Sequence, residues 1–240
     1  MRFLKNSGYI KVDDAQLYYE EYGEGFPIVF LHGNGENMRY FDRQIPIFSK
    51  NRRIICIDSR GHGKSERGSG PLDFWHMASD VAAILDALHI FQADFLGFSD
   101  GGNIAIHFAL CFPERVRSLI LNGANLSPKG MKFFVRISII FDYTFQSLCS
   151  IFSKNAKKSS EILKLMVHYP NLNPKQISKI TAHSLVIVGE KDMIKNSESQ
   201  NIANALQAEF CLLPNADHFC AAKQPDLFNQ KVLLFLEKNS

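Results

Sequence analysis

Gly97-Phe98-Ser99-Asp100-Gly101-Gly102 closes one apolar run and opens another. The residues before it, Ala93-Asp94-Phe95-Leu96, read as a short buried strand, and Gly102 to Leu110 carries apolar residues at helical spacing. A serine on so sharp a strand-to-helix turn takes backbone angles that most residues resist, and glycine on either side relieves the crowding. The turn holds the hydroxyl clear of the sheet and points the N-terminus of the next helix at it. That placement suits a nucleophile, whose partners must then lie elsewhere in the chain.

Around the turn, strands and helices alternate. Gly8 to Tyr22 reads as a hairpin turning at Asp13-Asp14. Pro27-Ile28-Val29-Phe30-Leu31 and Arg53-Ile54-Ile55-Cys56-Ile57 are continuous apolar runs, as expected of parallel strands covered on both faces. Between them Tyr40 to Ser49 predicts a short helix, and Asp73 to Leu88 an amphipathic one with Met77, Val81, Ile84, Leu85 and Leu88 on one side. Beyond the serine turn, strands are predicted at Ser118–Leu121, Ser184–Val188 and Glu209–Leu213. Helices are predicted at Ser197–Leu206 and from Pro225 onward. The pattern is that of a doubly wound α/β sheet with right-handed crossovers.

One segment breaks the alternation. Residues 126–180 are helical in character and have no strand of their own. They hold nine basic residues against two acidic ones, a net +7 that leaves −4 for the rest of a chain whose total is +3. They also carry Phe133, Phe134, Phe141, Tyr143, Phe145, Phe152 and Tyr169. An insertion of this size is expected to form a lid over the strand ends, where α/β sheets bind ligands. Its helices are expected to pack phenylalanine against the body and leave lysine in water, with some aromatics reaching the pocket.

The 240 residues are 46% hydrophobic and 21% charged, which fits one domain over 1–240 that includes the 126–180 lid. A net charge of +3 gives no support to nucleic-acid binding. No apolar run approaches the ~20 residues that span a bilayer, and no stable membrane association is expected. Met1 to Asn6 lacks the apolar core of a secretory signal. The five cysteines are odd in number and lack metal-ligand spacing, with Cys56 and Cys211 expected to be buried thiols. A cytoplasmic location follows as the expectation.

A serine hydroxyl is a poor nucleophile near neutral pH unless a base takes its proton, and the base is steadier when a carboxylate orients it. The acid is offered by Gly189-Glu190-Lys191-Asp192, directly after one strand, and the base by Asn215-Ala216-Asp217-His218-Phe219, after the next. Ser99, Asp192 and His218 thus all fall at carboxyl ends of strands and can meet at one edge of the sheet. Asp217 adjoins His218, but neighbours in a loop rarely orient one another. Oxyanion donors are expected from the backbone amides of Asp100 and of Asn34, in the loop His32-Gly33-Asn34-Gly35. The Asp100 side chain could also meet a substrate amine or cap its helix.

These residues resemble the α/β-hydrolase superfamily over essentially the whole chain. The match is carried by His32-Gly33, the run Asp58-Ser59-Arg60-Gly61-His62-Gly63-Lys64-Ser65, the Gly97–Gly102 elbow, Gly189 to Asp192, and His218. The resemblance implies a mostly parallel eight-stranded sheet flanked by helices, with a small helical lid after strand 6. It also implies a Ser99–His218–Asp192 triad, hydrolysis through an acyl-enzyme, and a largely structural role for Asp58 to Ser65. Some relatives place the acid after the sixth strand, but Asn122-Gly123-Ala124-Asn125 offers no carboxylate. Haloalkane dehalogenase and epoxide hydrolase relatives carry aspartate where Ser99 stands, so those activities are not expected.

The expected function is cleavage of a carboxylic ester or related small acyl compound. Carbon–carbon bond or lactone hydrolysis, perhydrolysis, interfacial lipolysis and simple binding remain open. No cofactor is expected. Gly63-Lys64-Ser65 lacks the first glycine of a phosphate loop, since Asp58 stands there, and Met38 breaks a dinucleotide pattern begun at Gly33. Neither H-E-x-x-H nor a paired C-x-x-C occurs, so no metal is expected either.

Overall fold

The computed structural model describes residues 4–239. Of the amino-terminal segment considered above, residues 1–3 lie outside this range. The strands are β1 (Leu4–Val12), β2 (Ala15–Tyr22), β3 (Phe26–Leu31), β4 (Arg52–Ile57), β5 (Ala93–Phe98), β6 (Val116–Asn122), β7 (His183–Gly189) and β8 (Glu209–Leu213). The helices are α1 (Ile45–Phe48), α2 (Phe74–Ala87), α3 (Asp100–Cys111), α4 (Phe133–Cys149), α5 (Lys154–His168), α6 (Pro174–Ile177), α7 (Asn196–Leu206), α8 (Cys220–Lys223) and α9 (Pro225–Lys238). Among the described residues the strands form one eight-stranded sheet in the order β1-β2-β4-β3-β5-β6-β7-β8. β1–β2 and β2–β4 pair antiparallel, and every later pairing is parallel.

The continuous apolar runs of β3 to β7 have a direct physical reading. Alternate residues point to opposite faces, and both faces are covered. Val29, Leu31, Phe95, Leu119, Leu121, Val186 and Val188 share one core with α2, α3 and α7. Ile28, Phe30, Leu96, Ile120, Leu185 and Ile187 share the other with Phe48 of α1 and with Phe228, Val232 and Phe235 of α9. The central strands are buried at nearly every position, which anchors the loops at their carboxyl ends.

Three local expectations are corrected. The single helix predicted over Tyr40 to Ser49 is split into a 3-10 turn at Met38–Phe41 and the short α1. Pro46 sits in the first turn of α1, where its missing N–H costs nothing, and cannot lie deeper in a continuous helix. Cys211 is half-buried rather than buried, because β8 is the edge strand and is covered less completely. The five cysteines are free thiols.

The third correction concerns the insertion. It consists of α4, α5 and α6 between β6 and β7, as its helical character predicts. Its phenylalanines, however, do not pack against the body: Phe133, Phe134, Phe141, Phe145 and Phe152 are all exposed. The contact of α4 with the rest of the insertion is made by Val135 and Ile139, which pack near Leu163, Met166 and Val167 of α5, and by Tyr143, whose ring stands edge-on to His168 at 5.6 Å. With these residues on the inward arc, the phenylalanines are left outside. Among the described residues no helix is long and apolar enough to cross a membrane.

Candidate active site

Ser99 ends the β5 turn with φ 52° and ψ −118°, a backbone conformation outside the helical region that L residues rarely adopt. Close packing holds it there. Its N–H donates to Asn122 O at 2.8 Å, and its carbonyl accepts from Gly102 and Asn103 in the first turn of α3. The glycines are required by approach as much as by angle. A Cβ on Gly101 would stand 2.0 Å from the Leu31 carbonyl oxygen, so no larger residue lets α3 start this close to β3.

The three strand-end residues meet. His218 Nε2 lies 3.1 Å from Ser99 Oγ, and His218 Nδ1 lies 2.7 Å from Asp192 Oδ1. Asp192 is fully buried, and its Oδ1 also accepts from the Ile194 N–H at 2.8 Å. That second bond fixes the carboxylate independently of the histidine. Asp217 is engaged elsewhere: it accepts from the Phe219 N–H and from Lys223. The ring of Phe98 packs 4.8 Å from that of His218, and Tyr40 stacks on Phe98 at 3.9 Å.

Gly123, in the stretch after β6 that offers no carboxylate, makes room for this arrangement. Its φ is +69°, and a Cβ there would lie 2.7 Å from His218 Cε1 and 2.9 Å from His218 Nδ1. Its sequence signal is a glycine immediately after a buried strand. The backbone turns left-handed there, and the imidazole occupies the space a side chain would need.

Asn34 and Asp100 are adjacent. Neither backbone N–H has a protein acceptor among the described residues; for Asp100 this is expected at the first position of a helix. Their side chains also meet, since Asn34 Nδ2 donates to Asp100 Oδ2 at 2.8 Å and to the Ile162 carbonyl of α5 at 2.9 Å. Asn103 Nδ2 donates to Asp100 Oδ1 at 3.4 Å. Two side-chain amides of the protein therefore occupy the carboxylate that was considered above for a substrate amine.

Burial pushes the Asp100 carboxyl up to about 6, with the Asn34 and Asn103 hydrogen bonds opposing the rise. The unfolded chain releases this proton near 3.8 and the folded chain near 6, so stability falls as pH rises through that window. Asp100→Asn keeps an oxygen for Asn34 and removes the titration. Urea unfolding is expected to show the variant more stable than the wild type above pH 6, by at most about 3 kcal/mol. The difference should shrink toward pH 4.

The Asp58–Ser65 loop is a scaffold beneath the site. Asp58 accepts from the Met38 and Lys64 N–H groups, and Ser65 Oγ donates to the Asp58 carbonyl while accepting from the Tyr18 N–H. Arg60 is fully buried and forks onto Asp80 at 2.7 and 2.8 Å. His32 accepts from the Ser59 N–H, and burial pushes both His32 and His62 down to about 4.

Over Ser99 and Asp100, Asn125, Met131, Met166, Tyr169, Met193 and Ile194 leave a cavity of about 10 Å³. That is room for at most about one water. Larger clefts, such as one of about 670 Å³ along Ser127, Arg136 and His168, contain none of Ser99, Asp192 and His218. For a metal, the one group of side chains within reach of a common ion among the described residues is Asp13, Asp14 and His76. It lies at the β1–β2 turn, and Asp14 already accepts from Arg60, Ser69 and Gly70.

Known proteins share this architecture. A protein of Azorhizobium caulinodans, provisionally named a carbamate hydrolase, is 28% identical over 92% of this chain and 95% of its own length. The 3-oxoadipate enol-lactonase 2 of Acinetobacter baylyi is 26% identical over 93% of this chain and 94% of its own. The solved structure of Est816, described as an N-acyl homoserine lactone degrading enzyme, superposes with a TM-score of 0.79 at 28% identity. It covers 95% of this chain and 100% of that one. The family model of the alpha/beta hydrolase fold matches residues 27–147. Sheet order, elbow and sequence agree: the chain belongs to the alpha/beta hydrolase family and is a hydrolase of that fold.

Proposed function

We propose that the protein cleaves small carboxylic esters or lactones through an acyl-enzyme on Ser99. The observation that carries this reading is the unbroken chain of hydrogen bonds from Ser99 Oγ through His218 to buried Asp192. Ser99 Oγ attacks the substrate carbonyl carbon while His218 Nε2 takes the hydroxyl proton. Asp192 accepts from Nδ1–H, which fixes the tautomer and stabilises the imidazolium. The carbonyl oxygen becomes an oxyanion and accepts from the Asn34 and Asp100 amides. As the tetrahedral centre collapses, the bond to the leaving oxygen breaks and His218 returns the proton to it. Water, deprotonated by the same histidine, then attacks the acyl carbon, and the carboxylic acid leaves with Ser99 restored.

The relatives support the choice of bond. Their names speak of a carbamate, an enol-lactone and an acyl homoserine lactone, compounds in which the carbonyl carbon bears a heteroatom leaving group. The insertion over 126–180 serves as the lid. It contributes Met131, Met166 and Tyr169 to the roof, and a cavity of about 10 Å³ admits no ester until that roof moves.

A fluorophosphonate probe tests the reading. The wild-type protein should be labelled covalently and Ser99→Ala should not, with intact mass showing one adduct per chain. A folded wild-type protein that resists the probe, yet still turns over an ester, would place the chemistry elsewhere.

A further inference from the structure

The outward face of α4 is built as few solvent-facing helix surfaces are. A helix that covers a protein body presents one apolar stripe inward and charged residues outward. α4 is apolar on both sides. Val135 and Ile139 face inward, while Phe133, Phe134, Ile137, Phe141, Phe145 and Leu148 are exposed. At 100° per residue these six fall on one continuous arc, interrupted by a single hydroxyl, Thr144. The following turn extends the arc with Ile151 and Phe152, the latter 91% exposed and Phe134 83%.

The charges that flank the arc within α4 balance, Arg136 beyond one edge and Asp142 beyond the other. The basic excess lies at the end of the face, where the exposed Lys154, Lys157 and Lys158 begin α5 immediately after Phe152. The whole insertion has nine basic residues against two acidic ones, in a chain whose remainder is net negative.

We propose that this face seats the protein on an anionic lipid bilayer. The phenylalanines enter the boundary between headgroups and acyl chains, and the lysines that follow Phe152 meet lipid phosphates, as an interfacial helix requires. Charge selects this occupant over a second copy of the chain. A two-fold dimer sets a patch against itself, so it would bring together two insertions that each carry a net +7. An anionic bilayer supplies the opposite sign. The attachment is peripheral, and it stands or falls independently of the role of Ser99.

Flotation of the full-length protein with vesicles tests it, using phosphatidylglycerol in phosphatidylcholine against phosphatidylcholine alone. Binding is expected on the anionic vesicles and should weaken with added salt. Phe134→Ser and Phe141→Ser should each lower the apparent affinity roughly tenfold. Lys157→Glu with Lys158→Glu should lower it about fivefold or more per site. Unchanged circular dichroism and an unchanged thermal unfolding midpoint in these variants show that they are folded. Three results would overturn the proposal. The wild-type protein could fail to float with anionic vesicles, or float equally with both compositions and with the Phe→Ser variants. Sedimentation velocity could also reveal a dimer that Phe134→Ser dissociates, with no lipid binding by either form.

Discussion

Ser99→Ala is expected to lower kcat for a p-nitrophenyl ester by about 10⁶-fold, and Asp192→Asn by about 10⁴-fold. The two losses differ because the residues act at different removes from the substrate. Alanine at position 99 deletes the atom proposed to form the acyl bond. Asparagine at 192 leaves the scaffold in place but removes the negative charge that stabilises the imidazolium. Asp192 Oδ1 alone accepts from Nδ1, at 2.7 Å, and from the Ile194 N–H, at 2.8 Å, so an asparagine whose amide group turns toward the ring loses both bonds and favours the wrong tautomer. The double variant should be no slower than Ser99→Ala alone, since groups acting as a unit are far from additive. Single-turnover and steady-state rates on the purified variants check this. An Asp192→Asn enzyme within tenfold of the wild type would remove Asp192 from the mechanism.

Arg60→Ala is expected to cost about 3 to 5 kcal/mol of folding stability, the largest loss anticipated outside the hydrophobic core. Arg60 is fully buried, and its guanidinium meets both oxygens of Asp80 and also Asp14. Removing it leaves the Asp80 carboxylate, itself buried on α2, without its counter-charge. Asp80 is already held above the usual carboxylate range, first by desolvation and against the pull of Arg60. Loss of Arg60 should therefore drive Asp80 to its protonated form and make the variant less unstable at low pH. Denaturant unfolding at two pH values reads both effects. The double replacement Arg60→Leu with Asp80→Leu should recover part of the loss, because a well-packed apolar pair leaves no buried charge.

Much of the site was legible before any coordinates. The apolar runs are continuous where strands are buried on both faces. The helical period resumes directly after Ser99, and Asp192 and His218 each follow such a run. In a parallel sheet all carboxyl ends lie on one edge, so order along the chain translates into proximity. The unpaired backbone amides of Asn34 and Asp100 follow from the same topology.

Other features had a slight signature or none. Gly123 carries no chemistry and is recognisable as necessary only once the His218 ring occupies the space beside it. The link from Asn34 to Asp100 and to the Ile162 carbonyl spans a loop, an elbow and the insertion, and its bonds depend on where α5 comes to rest. The exposure of Phe134 and Phe141 was likewise hidden. Hydrophobic period tells which residues share a face of a helix, but not whether another element arrives to cover it.

The sequence alone determined the order of strands and helices, the sharp strand-to-helix turn at Ser99, and the acid and histidine that follow later strands. Those depend on short-range backbone preferences and on the period of burial along the chain. Tertiary structure decided which carboxylate oxygen meets His218, how small the space over Ser99 is, and which face of α4 is left without a partner. These depend on distances between segments far apart in the chain, set by packing that no local pattern encodes.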